Sequence, residues 1–256
     1  MPVLGRNRHL SGTAQLTIDS RNFGAWSLRG WLLCRLARID FCERLVAGGD
    51  TATTAPARAW SESSVTSQPS GPSLSSLPSP SSPLPPVVPS LEHEGVVVWD
   101  TLAIAEYLRE TVPGSALLPD DPIERARCRS VSAQAHTAFD HLRAALPMNV
   151  RARYRGFKLW AGARADVDRV VALWQDCLRS SGGPFLFGKG PTIADAMFAP
   201  ECSRMVTYDV DLPDDCQAYV EEVMGMPEMA EWTAAAVDEP ARSGGSGDLE
   251  ELDAEF

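Results

Sequence analysis

Residues 87–108, VVPSLEHEGVVVWDTLAIAEYL, place a Val-Pro step, a charged turn, an apolar strand and an acid–hydroxyl pair directly ahead of a helix. VVPSL and VVVW on either side of EHEG read as an antiparallel hairpin. The run TLAIAEYLRET repeats apolar residues at helical spacing, with Asp100 standing where an N-cap belongs. The Val88-Pro89 peptide is of the one kind that adopts the cis form readily. A cis turn there faces the Val88 backbone outward, where its N–H and C=O can pair with an extended peptide ligand; an ordinary trans proline at a strand start is the plainer alternative. Asp100 and Thr101 stand at a helix N-terminus, where backbone N–H groups and the helix dipole favour a carboxylate. Thr101 can donate to such a carboxylate and Asp100 can hold an ammonium group. Alone, the same pair is a plain helix cap.

Upstream, LTID (16–19) and FCERLV (41–46) read as strands. Between them Trp31, Leu32, Cys34, Leu36 and Ile39 recur at helical spacing. Strand, helix and strand in about thirty residues make a βαβ unit with a parallel pair and a right-handed crossover. The composition then shifts: 20 of the 30 residues from Ser61 to Ser90 are Ser or Pro. Such a segment buries too little apolar surface to offset its ordering entropy, so 48–85 reads as a disordered surface insertion. It is more simply a passive loop than a proline-rich docking site. Residues 1–15 read as a flexible N-terminus.

Downstream, VPGSALLPDDP (112–122) reads as a linker, and 123–237 as entirely helical. IERARCRSVSAQAHTAFDHLRAAL and RADVDRVVALWQDCLRSS are long amphipathic runs, TIADAMFAPECSRMV is an apolar helix, and shorter helices follow near 214–224 and 227–237. The acid-rich stretch 238–256 reads as a disordered tail. There are no internal repeats. The order βαβ, hairpin, helix, all-helical unit predicts a thioredoxin-like α/β domain (16–111) followed by an all-α domain.

The 44% apolar fraction suits a packed core, and a formal charge of −11 argues against nucleic acid and anionic membrane surfaces as partners. No apolar run approaches the length of a membrane span. The six cysteines form no C-x-x-C pair and no metal-ligand spacing, so reduced, mostly buried thiols in a cytoplasmic protein are expected.

Taken together, VPSL, the turn and VVVWDTLAIAEYL resemble the N-terminal domain of the glutathione S-transferase family. GPTIADAMFAP, PFLFGKGP and YVEEVMGMPEMAEW resemble its C-terminal domain. The resemblance covers roughly 16–46 and 87–237. It implies that Val88, beside Pro89, contacts the cysteinyl backbone of glutathione, and that Asp100 and Thr101 hold its γ-glutamyl end. Thr192 and Asp195 form a capping box, which is structural. A homodimer and no metal are also implied.

The first βα turn departs from the family pattern. Aligning GAWSLR on the family's Ser- or Cys-bearing turn puts Gly24 at the catalytic position, where no side chain can meet a thiolate, and Ala25 at the family's proline. Three readings stay open: Ser27 stabilises the thiol from the first helical turn, Ser20 or Asn22 reaches it from the strand end, or the protein mainly binds. Ser27 equally suits a helix cap.

Other candidates are weaker. His136 and His141 lie five apart and do not share a helix face at ligand spacing. Arg151, Arg153, Arg155 and Lys158 read as a solvated helix end or the border of an acidic-substrate site. Trp160 and Trp174 read as core, and Tyr154 and Phe157 as lining for an electrophile pocket. The resemblance implies conjugation of glutathione, as co-substrate, to a hydrophobic electrophile. A non-catalytic ligand- or partner-binding module and a glutathione-dependent isomerase or peroxidase are the alternatives.

Overall fold

The computed structural model describes residues 14–46 and 87–240. The insertion read at 48–85 lies outside them, as do nearly all of the N-terminal segment and most of the acidic tail.

The first described half is built of β1 (Ala14–Ile18), α1 (Ala25–Leu36), β2 (Phe41–Leu45), β3 (Ser90–His93), β4 (Val96–Trp99) and α2 (Thr101–Thr111). The strands form one sheet in the order β2-β1-β3-β4. β1 and β2 are parallel, joined through α1, whereas β3 runs antiparallel to both β1 and β4. Leu16, Leu91 and Val98 lie in one cross-strand row. Leu16 and Leu91 are fully buried with Ile18, Leu28, Leu32, Ile104 and Leu108, which is how the strand and helix periodicities meet in one core. β1 begins at Ala14, two residues before the sequence reading. The hairpin turn is tight: Glu94 and Gly95 alone carry it, both at positive φ (53° and 78°), the signature of a two-residue hairpin loop.

The second half is helical: α3 (Pro122–Thr137), α4 (Asp140–Ala145), α5 (Ala161–Ser181), α6 (Ile193–Thr207), α7 (Asp214–Met224) and α8 (Pro227–Val237). The run expected as one helix from 123 breaks at Phe139, whose φ is 69°. That turn buries the Phe139 ring against Phe198 (6.2 Å between centroids), and Asp166 of α5 then accepts from the His141 and Leu142 N–H groups at the new helix start (3.0 and 3.2 Å). α6 runs through the middle, buried on every side, and packs on α1, α3 and α7. Its capping box forms: Thr192 N–H donates to Asp195 (2.7 Å), which also accepts from Leu186 N–H and Tyr219 Oη. Burial raises the Asp195 carboxyl above its usual range, against the opposing pull of those donors.

Two tryptophans part company. Trp174 is fully buried between Phe198 and Tyr219, whereas Trp160, expected in the core, is half exposed. It precedes α5 as the N-cap residue and lies edge-on to His141, outside the packed helices. The six cysteines are unpaired; five are buried and Cys42 is exposed.

Candidate functional site

The site is built on the starts of two helices that pack together, α1 and α2. At α2 the chain arrives through β3 and β4. The Val88-Pro89 peptide is cis, and Pro89 is buried against α1 at Gly30. A Cβ on Gly30 would stand 2.6 Å from the Pro89 Cβ, so the helix can approach the proline only without a side chain there. Asp100 takes φ 75° and caps α2: its Oδ1 accepts from Leu102 N–H (2.8 Å) and Ala103 N–H (3.3 Å). Thr101 is fully buried.

A third group joins them from the helical half. His136, near the end of α3, places Nε2 at 3.2 Å from Asp100 Oδ2 and Nδ1 at 3.3 Å from Thr101 Oγ1. Burial pushes the Asp100 carboxyl up. The bond and charge of His136, with the two capping N–H groups, outweigh this and hold it below its usual value. The sequence offers His136 only as a poor metal-ligand partner for His141; its contact with Thr101 spans 35 residues and no local motif joins them.

At α1 the arrangement differs. Gly24 is the N-cap residue, with no side-chain cap bond. Its N–H donates to Ser20 O (3.0 Å), and a Cβ there would lie 2.2 Å from that oxygen and 2.3 Å from Asp19 Oδ1. The turn is closed around a glycine. Ser27 lies beneath it, fully buried: its hydroxyl donates to Asp19 Oδ1 (2.6 Å) and accepts from Asp19 N–H (3.1 Å). Ser20 Oγ accepts from Phe23 N–H (3.0 Å). Asn22 Oδ1 accepts from Arg151 N–H (3.0 Å), and the Asn22 carbonyl from Val150 N–H (3.2 Å). Glu239 Oε2 accepts from the Arg21 and Asn22 N–H groups (2.7 and 3.1 Å).

The segment holding Arg151, Arg153, Arg155 and Lys158 is solvated as expected but is not a helix end; it is irregular chain whose Val150 and Arg151 N–H groups bond to Asn22 of the α1 turn. Tyr154 and Phe157 pack on Tyr208 (5.2 and 5.0 Å between centroids), with Phe157 38% exposed.

Beneath α1, Arg29 is buried and bonded to both oxygens of Glu201 (3.0 and 3.1 Å) and to the Met197 and Ala135 carbonyls. Arg143 and Arg204 share the same carboxylate (3.3 and 3.4 Å). Burial raises the Glu201 carboxyl, but three guanidinium groups overcome this and hold it below its usual range; burial also lowers Arg29 to about 10. This cluster fixes α1 to α6 and thereby the α/β half to the helical half.

The glutathione S-transferase N-terminal domain matches residues 23–111, and the glutathione S-transferase C-terminal domain matches residues 126–235. The chain belongs to the glutathione S-transferase family. Its relatives include a maleylacetoacetate isomerase from Rattus norvegicus, 32% identical over 125 residues (49% of this chain, 56% of the rat protein). Another is the maleylacetoacetate isomerase of Rhizobium meliloti, 33% identical over 138 residues (49% and 61%). The chain thus spans little more than half the length of these curated relatives. Among solved structures, a Burkholderia glutathione transferase homolog with bound glutathione superposes with a TM-score of 0.60 at 19% identity, covering 90% of this chain and all of that one. A maleylacetoacetate isomerase from Anaeromyxobacter dehalogenans with bound glutathione gives 0.56 at 22% identity, covering 88% and 96%. At these identities the structures speak for the fold. It is that of a glutathione S-transferase: a thioredoxin-like domain followed by an all-helical one. None of the described helices is long and apolar enough to cross a membrane.

Proposed function

We propose that this glutathione S-transferase family member binds glutathione through Val88, Pro89, Asp100 and Thr101 and adds its thiolate to an electrophile. The observation carrying the reading is the Asp100–Thr101 helix start, which the Ser90–Trp99 strand pairing sets beside Val88 and Pro89. The Val88 backbone takes the cysteinyl peptide as a short extra strand. Thr101 and the α2 N-terminus take the γ-glutamyl carboxylate, and Asp100 takes the ammonium group. The thiol then falls toward the start of α1.

Bringing a thiol pKa from about 9 toward neutrality requires roughly 3 kcal/mol of differential stabilisation. Ser27 contributes by holding the turn through Asp19, since its single hydroxyl proton already lies on that carboxylate. The sulfur is left to the uncapped backbone N–H groups at the helix start and to their dipole.

Once the thiolate has added to an activated double bond, two fates share the adduct. Protonation of the adjacent carbon completes a conjugation. Rotation about the new single bond and expulsion of the thiolate completes a cis–trans isomerisation and returns glutathione. The second reading is favoured by the relatives named maleylacetoacetate isomerase and by Arg151, whose N–H bonds to Asn22 of the α1 turn and whose charge suits an acidic substrate. A cytoplasmic homodimer is proposed with it; edge strand β4 leaves Val97 and Trp99 each 55% exposed, an apolar surface suited to a second copy.

Titration calorimetry with glutathione tests the reading. The intact protein should bind, and Thr101→Ala should weaken binding about 10- to 100-fold, the worth of a hydrogen bond to a charged group. Absence of binding at millimolar glutathione would sink it. Glutathione consumed in step with electrophile marks conjugation; glutathione conserved while a cis-enone acid becomes trans marks isomerisation.

A further inference from the structure

We infer that the basic segment 151–164 is a docking surface for the acidic stretch 248–255 of the same chain.

Between Asp140 and Asp166 the sequence holds no Asp or Glu, but it holds Arg143, Arg151, Arg153, Arg155, Lys158 and Arg164. In a chain of formal charge −11 this is a concentrated block of positive charge. Arg143 is tied to Glu201. The other five are exposed, and the ion pairs among the described residues involve none of them. Among the described residues, the Arg151 and Arg153 guanidinium groups donate only to carbonyls: Glu239 (3.1 Å) for the first, Val150 and Ala152 (3.0 and 2.6 Å) for the second. The start of α5 adds to the field, since Trp160 makes no side-chain cap bond there and the first turn holds no acid. Aromatic rings stand among these charges. Trp160 is half exposed yet fixed in place, edge-on to His141 and against Gly162, where a Cβ would lie 2.4 Å from the ring. Phe157 is exposed as well. Uncovered cations beside aromatic rings suit an acidic peptide that also carries apolar side chains.

The chain supplies such a peptide and delivers it to this place. Past α8, Glu239 is seated on the α1 turn by the Arg21 and Asn22 N–H groups, and its carbonyl lies on Arg151. Residues 241–256, outside the described residues, thus depart from the edge of the basic segment. ARSGGSG (241–247) reaches up to about 25 Å. Lys158 stands seven residues beyond Arg151 on a chain turned at Gly156 (φ 68°), which is within that reach. DLEELDAE (248–255) then brings Asp248, Glu250, Glu251, Asp253 and Glu255 to meet the five cations, with Leu249 and Leu252 for the rings. A single surface ion pair contributes little. A tethered set meets its partner at an effective concentration on the order of millimolar. Docked there, the acids stand at Arg151 and compete with an acidic substrate; this consequence alone rests on the proposed function.

Zero-length carbodiimide coupling of the full chain tests the docking, because the sequence has two lysines, Lys158 and Lys189, both exposed. Peptide mass spectrometry should find carboxyl groups of 248–255 joined to Lys158 and not to Lys189. The product should fade in molar salt, where charges are screened beyond about 3 Å. Coupling to both lysines alike, or to neither, overturns the inference. So does a Lys158 product that, in a mixture of isotope-labelled and unlabelled protein, joins one chain to another, for the occupant is then a second copy. The competition has its own readout in a variant with the five acids as amides (Asp248→Asn, Glu250→Gln, Glu251→Gln, Asp253→Asn, Glu255→Gln). Its KM for a cis-enone acid should fall about three- to tenfold at unchanged kcat, while the KM for an uncharged electrophile stays as it was. A KM that does not fall overturns the competition. A protein that turns over neither compound breaks the proposed function instead, and the cross-link still decides the docking.

Discussion

Helices α1 and α2 frame the same site, yet their first turns are held in opposite ways. α2 carries its own solution: Asp100 at the cap accepts from the N–H groups two and three residues on, so the helix start is satisfied within a four-residue stretch. α1 begins at a glycine and borrows its support. Asp19 and Ser27 brace the turn from below, Glu239 reaches it from the end of the helical half, and Arg29 ties the helix to Glu201 of α6. The self-sufficient start leaves its hydroxyl and carboxylate beside a ligand-sized partner, His136. The borrowed start leaves backbone N–H groups and no catalytic side chain at Gly24. One end of the site is therefore specified by side chains, the other by backbone and dipole.

The largest effect should come from removing what α1 borrows. Glu201→Gln leaves three guanidinium groups facing one neutral amide, and unpairing buried charge costs about 3–5 kcal/mol. Denaturant unfolding measures this; a loss below about 1 kcal/mol would mean that the cluster does not hold the halves together. The pH dependence has a definite sign. The folded-state Glu201 pKa lies below the reference value of 4.5, so its contribution is present above that pH and lost as pH falls through the folded value. The Glu201→Gln protein should accordingly lose less stability than the native one on acidification below pH 4.5.

Next comes the turn itself. Gly24→Ser would place a hydroxyl at the position that the family resemblance aligns with a Ser- or Cys-bearing turn, but its Cβ would stand 2.2 Å from the Ser20 carbonyl oxygen. The turn has to open, at a cost of about 1–3 kcal/mol typical of overpacking, and no gain in thiol activation is expected. Thermal melts and the ionisation of bound glutathione followed by its thiolate absorbance report the two quantities. A variant that keeps its stability and ionises the thiol more readily would show that the α1 start is only a missing side chain away from the usual design.

The same contrast explains what could be read from the sequence. The α2 start, the hairpin, the Val88-Pro89 step and the Thr192–Asp195 box are made by residues within a few positions of one another, so pattern and cap chemistry exposed them. The Arg29–Glu201 cluster spans 172 residues, the Thr101–His136 contact 35 and the Arg21–Glu239 contact 218. None carries a local signal. On its own segment His136 has only His141 to pair with, which hides its distant partners, and Phe139 fits the helical period as a buried aromatic. The hydrophobicity of Trp160 points to the core, but it says nothing of whether a neighbouring element covers the ring, and here it is half exposed.

The smallest stability effect should come from Asp100→Asn, which for that reason isolates function best. Asparagine caps helices as well as aspartate does and tolerates positive φ, so the φ 75° turn and both capping bonds can survive. The change in folding free energy should stay within about 0.5 kcal/mol. What disappears is the charge facing His136 Nε2 and, on the proposed reading, the partner of the ligand ammonium. Glutathione binding should weaken about tenfold or more while glutaryl-cysteinyl-glycine, with no ammonium, loses less. Equal losses for the two peptides would place the role of Asp100 in shaping the α2 start rather than in holding charge, and the two helix starts would then differ in their caps alone.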